Sequence, residues 1–152
     1  MSPATTDDNP SPLGACCESA SVCVFARALR ARVASCELAE RRLLAEGNVI
    51  ECPSPVARMN CVTLAALLHE RARFALRLPG PGQPLMHAKA MRLHCGGLLA
   101  LQHALDAPRP DVHRLIGTAH ERCASLTELP WDAIVKSLSA WQPGRARRPP
   151  KP

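Results

Sequence analysis

Proline sets the limits of this chain. Pro53 and Pro55, then Pro79, Pro81 and Pro84, then Pro108 and Pro110, and finally Pro130 divide it into pieces of helix length. A proline inside a helix removes a hydrogen bond and clashes with the preceding turn, so regular elements have to lie between these points. Within each piece, apolar residues recur at the three- and four-residue spacing of one helical face. From Gly14 to Glu46 the face is Val22, Phe25, Leu29, Val33, Cys36 and Leu43, with Gly47 and Asn48 as the stop. Ser54 and Pro55 read as an N-cap and first position of a second helix reaching about Leu76, with Cys61, Leu64, Ala65, Leu68, Ala72 and Ala75 on one stripe.

A third helix is expected from about Leu85 to Leu105 on Ala88, Met91, Cys95, Leu98 and Gln102. A fourth runs from about Asp111 to Leu126 on Val112, Ile116, Ala119, Cys123 and Leu126, and a short last one from about Pro130 to Trp141. No stretch alternates like a strand, and no repeat or heptad run is present. The expectation is therefore all-α: a single-domain antiparallel helical bundle of four to five helices over residues 14–141. The Pro-, Ser- and Thr-rich residues 1–13 and the basic, Pro-rich residues 142–152 form disordered tails.

The 152 residues suit one domain, and with two Phe, two Trp and no Tyr the core must be built from Leu, Ala, Val, Met and Cys. The net charge is +6, but Arg145, Arg147, Arg148 and Lys151 crowd the C-terminal tail. What is left over the body is too dilute for a nucleic-acid face, and aromatic platforms for stacking bases are lacking. Arg27, Arg30, Arg32, Arg41 and Arg42 interleave with Glu37, Glu40 and Glu46 as a solvated face. The Ala, Arg, Leu and Pro bias is that of a high-GC bacterial coding sequence.

Eight cysteines are many for such a chain. Residues 1–12 have neither the basic nor the apolar region of a secretion signal, and no apolar window is long enough for a membrane span. The expected location is the reducing cytoplasm, where clustered thiols mean metal or redox chemistry more often than disulfides. Cys36, Cys52, Cys61 and Cys95 are the candidate ligand set, with His94 and Cys123 as substitutes. At 1.5 Å per residue, Cys36 and Cys61 fall about 15 and 9 Å from the turn that joins their helices. Cys61 and Cys95 fall about 22 and 15 Å from the next turn, and Cys52 sits in a connector able to fold back to the same level. The roles of Cys16, Cys17, Cys23 and Cys123 are left open.

All-thiolate ligation suits an iron-sulfur cluster, zinc or Cu(I). No C-x2-C pair of the zinc kind occurs, and no C-x3-C repeat of the copper-storing kind. One ligand per element means that the fold precedes the site, which favours a cluster. Cys52-Pro53 matches the dipeptide after the last ligand of some iron-sulfur runs. Cys95-Gly96-Gly97 places two costly glycines inside a helix, to admit either a neighbouring helix or a cluster.

The competing reading takes the cysteines as small core hydrophobes in a metal-free helical adaptor that docks a protein through its Trp131–Trp141 helix. His87 with His94, and His113 with His120, are seven apart and read as surface or partly buried pairs. No H-E-x-x-H, Glu-x-x-His, phosphate loop or nucleophile elbow points to catalysis. The expected task is electron transfer, cluster delivery or redox sensing with a protein partner.

Overall fold

The structure, a computed structural model, describes residues 21–143. It corrects the all-α expectation. Where the first helix was to run, only α1 (Ala26–Arg30) is helical among the described residues, and an antiparallel hairpin of β1 (Glu40–Leu44) and β2 (Gly47–Glu51) follows it. The register pairs Glu40 with Glu51, Arg42 with Val49 and Leu44 with Gly47. Gly47 holds φ at +125°, which favours glycine. The second edge of β2 takes Val22 in a single antiparallel bridge to Glu51.

Two physical causes end the predicted helix early. Arg32 takes a left-handed conformation at φ +56°. Its N–H donates to Leu29 O, while the N–H of Val33 donates to Ala28 O. That pair of bonds is a Schellman cap, usually marked by glycine. The same pattern of bonds recurs with Arg77 at φ +51° beyond the second helix and with Asp106 at φ +51° beyond the third. The second cause is burial. Ile50 on β2 is fully enclosed, whereas Leu43 on β1 is exposed, so packing overrides the helix propensity of Glu40–Glu46.

The remaining elements follow the proline punctuation. Helix α2 (Pro55–Ala72) starts on Ser54, whose hydroxyl accepts from the Ala57 N–H at 3.2 Å. Helix α3 (His87–Met91) passes through a π-helical turn (Arg92–Gly96) into α4 (Gly97–Ala104). Helix α5 (Val112–Arg122) is capped by Asp111, which accepts from the Arg114 N–H at 3.1 Å. A 3-10 turn (Leu126–Glu128) leads to α6 (Trp131–Ala140).

The core joins Leu64 and Leu68 of α2, Leu93, Leu98 and Leu101 of the α3–α4 rod, Leu115 of α5, and Ile134 and Leu138 of α6. The paired glycines serve helix contact. A Cβ on Gly96 would stand 3.0 Å from Trp141 Cβ and 3.2 Å from the Leu138 carbonyl, and one on Gly97 would stand 2.8 Å from Leu68 Cδ2. Trp131, expected on a docking face, is buried, and its indole N–H donates to Leu126 O at 3.1 Å. Among the described residues no helix is long and apolar enough to cross a membrane.

Candidate metal centre

Two backbone junctions converge on α2, which makes the third part of the site. At the first, the Cys23 N–H donates to Ile50 O at 2.9 Å and the Cys52 N–H donates to Ser21 O at 2.8 Å, on either side of the Val22–Glu51 bridge. Alternation along this ribbon puts Cys23 and Cys52 on the same face, diagonally opposed, beside buried Ile50. At the second, the Ser35 N–H donates to Pro110 O at 3.0 Å and the Val112 N–H to Ser35 O at 2.8 Å. This parallel bridge pins Cys36 against the first turns of α5. The third is α2 itself, whose second turn carries Cys61 one turn after Arg58.

Cys23, Cys36, Cys52 and Cys61 thereby line one cavity of about 20 Å³, walled by Val24, Ala39, Val112 and Ile116, with Arg58 and His113 at its edge. That volume exceeds the roughly 10–15 Å³ one water requires. All four cysteines are partly buried, and the described cysteines are free thiols. Burial, then the neighbouring Cys23, Cys36 and Cys52, push the Cys61 thiol up to about 12, with Arg58 opposing. Burial also raises Cys23, partly offset by a hydrogen bond from the Phe25 backbone N–H. Arg58 is held in place by its Nε–H, which donates to Val22 O at 3.2 Å. Thiols of this kind are poor nucleophiles, since reactive cysteines need a lowered pKa. Among the described residues no group of three or more His, Cys, Asp or Glu side chains is arranged to hold a metal ion as it stands.

Of the expected ligands, Cys36, Cys52 and Cys61 thus meet, and Cys95 does not join them. Cys95 is fully buried in the π-helical turn, its thiol raised by burial alone. Cys23, from the described end of the N-terminal segment, lines the cavity instead. Its place beside Val22, off the apolar stripe expected for the first helix, leaves its role open in the sequence. The two substitutes also lie elsewhere. His94 packs edge-on against Phe25 with ring centroids 5.3 Å apart, and burial lowers it to about 4. Cys123 ends α5 with its thiol 3.9 Å from Glu128 O. Cys16 and Cys17 fall outside the described residues.

His113, read from its spacing with His120 as a surface or partly buried residue, is a wall residue of the cavity. It lines the cavity on one side and an open groove with Ser35, Asp111 and Glu121 on the other. Its Nδ1 is 2.6 Å from Glu37 Oε1, and Arg114 Nε donates to Glu37 Oε2 at 3.0 Å. These two bonds hold the Glu37 carboxyl below the usual carboxylate range. Comparison with family models, with curated proteins and with solved structures finds no match.

Proposed function

We propose that this protein binds a soft metal centre in the cysteine-lined cavity, an iron-sulfur cluster above all, and exchanges electrons or the cluster itself with a protein partner. The observation that carries the reading is the meeting of four thiols from four separate stretches of chain at one cavity. Simple packing needs no such convergence, and a thiol enzyme would need a lowered pKa where Cys61 is pushed up to about 12. Metal binding reverses that penalty, because a coordinating thiol is deprotonated outright. Arg58 supplies a compensating positive charge.

Loading requires the thiol side chains to turn inward. A single zinc ion would gather its four sulfurs to about 3.8 Å from one another, given Zn–S bonds of about 2.3 Å. A cluster with bridging sulfides leaves its cysteine sulfurs farther apart, and one ligand from each separate stretch of chain favours it over zinc or Cu(I). The site also lies close to the surface. Cys36 lines a second, outer groove with Arg32 and Arg41, which suits exchange with a partner and redox sensing better than buried storage. This chemistry belongs in a reducing compartment such as the cytoplasm.

The test is metal and sulfide analysis with a visible spectrum on protein purified without oxygen. Stoichiometric iron and sulfide with broad visible absorbance is expected, lost in Cys61→Ser and kept in Cys95→Ser. Stoichiometric zinc would change the occupant. Metal-free, folded protein would leave the helical adaptor, whose supposed docking residue Trp131 is packed inward.

A further inference from the structure

The groove on the outer side of Cys36 carries charge of one sign. It holds about 420 Å³ between the end of α1, residues 33–36 and β1, and takes lining residues from β1 but none from β2. Arg32 and Arg41 stand in a mainly apolar lining that includes Leu29, Val33 and Ala39, and no Asp or Glu lines it. The acidic residues of this stretch are engaged or turned elsewhere. Glu37 is bound by His113 and Arg114. Glu40 lies across from Glu51, on the opposite face of the hairpin from Arg41, and Glu46 stands in the hairpin turn.

The groove is shaped before anything binds. Arg41 Nη2 donates to Leu29 O at 3.4 Å and Arg30 Nη2 donates to Asn48 O at 3.2 Å, which ties the hairpin to α1. The Arg32 side chain has no hydrogen bond or ion pair among the described residues. The strand that supplies Arg41 also has a free edge. β1 pairs with β2 alone, its other edge carries no strand among the described residues, and all of its residues are exposed. An unpaired edge accepts another strand through its backbone groups, while alternate side chains of that strand reach the surface beneath.

We propose that this groove and the edge of β1 dock an extended acidic segment of another protein, whose backbone continues the sheet and whose Asp or Glu side chains meet Arg32 and Arg41. A second copy of this chain is the wrong occupant, since an antiparallel copy centred on Arg42 sets like charges face to face. The contact deepens the partner reading above and rests on it for its purpose, which is to bring the partner to Cys36, the cysteine that groove and cavity share. Binding itself asks for no metal.

The experiment is fluorescence anisotropy on the full chain with a short labelled peptide of alternating Glu and Val, against peptides of the same pattern with Lys for Glu or with N-methylated backbone amides. The glutamate peptide is expected to bind, more weakly as salt rises, and the other two to fail. Arg32→Gly suits the left-handed backbone at that position and so keeps the fold. It should weaken binding about tenfold, with Arg41→Gln acting in the same direction and Lys136→Ala, on α6, leaving the affinity unchanged. No binding, equal binding of the lysine or N-methylated peptide, or full affinity in either arginine variant would overturn the proposal. So would tighter binding of a single-stranded oligonucleotide, lost in the same variants, which would give the groove to a phosphate backbone. None of these outcomes moves the metal content of the protein, so the docking proposal and the metal reading fail separately.

Discussion

At the scale of single residues, the molecule stores a pH dependence in His94. Its Nδ1 is buried with no hydrogen-bond partner among the described residues, and burial followed by the charge of Arg27 lowers it from 6.5 to about 4. The unfolded chain therefore takes up this proton first as the pH falls. The stability that neutral His94 contributes is complete above pH 6.5, drains away between 6.5 and about 4, and changes no further below that. The local slope approaches about 1.4 kcal/mol per pH unit. Urea midpoints measured from pH 7 to pH 4 should fall over this window, and His94→Leu should flatten the fall. An unchanged slope in the variant would place the acid sensitivity elsewhere. The residue is also instructive about reading from sequence. Its position beside Cys95 made it look like a ligand, yet its actual neighbour is the ring of Phe25, a contact set by tertiary packing that no local spacing encodes.

At the scale of elements, helix caps made by side chains were legible, and the early end of the first helix was not. Ser54 and Asp111 cap through side chains, so their signals are written in the residues themselves. The ends at Arg32, Arg77 and Asp106 are made by the backbone, with residues that seldom adopt positive φ. A helical stripe read through Arg32 continues into what is really a turn and a hairpin, and the missing glycine hid the break. The same feature is a reserve of stability. Arg77→Gly relieves a left-handed arginine at an exposed site and should raise stability by up to about 1 kcal/mol. Thermal denaturation checks this, and a fall in Tm would mean that the arginine side chain contributes more than its backbone strain costs. The hairpin was illegible for a related reason. Glu40–Glu46 prefers helix locally, and only the enclosure of Ile50 decides otherwise.

At the scale of the whole molecule, the helices from α2 to α6 supply the leucines of the core, while residues 21–52 attach through the Ser35–Asp111 bridge, the Arg58 hydrogen bond to Val22 O, the apolar side chains of Phe25, Ala28, Leu29 and Ile50, and the cysteine cavity. On the metal reading proposed above, stripping the metal should loosen the chain unevenly. Hydrogen exchange on chelated protein should lose protection first in residues 21–52 and in the first turn of α5, with α4 and α6 unchanged. Uniform loss would mean that the centre supports the entire core. Cys52 and Cys61 stood in a loop and a helix whose character is plain in the sequence, whereas Cys36 was chosen on a helix that the structure replaces with the Ser35–Asp111 bridge. Cys23 could not be chosen, because its placement depends on a strand bridge within a stretch that reads as helix.

The join between Ser35 and Asp111 bears on how the protein is made. All four cavity cysteines leave the ribosome well before Val112 and Ile116, the residues that close the cavity over them. During that interval the thiols are open to oxidants and stray metals, and no finished pocket exists to select among them. On the proposed metal reading, faithful loading belongs to the chain in which α5 has docked, and a truncation ending before α5 should emerge as a promiscuous thiol cluster with no preference for iron.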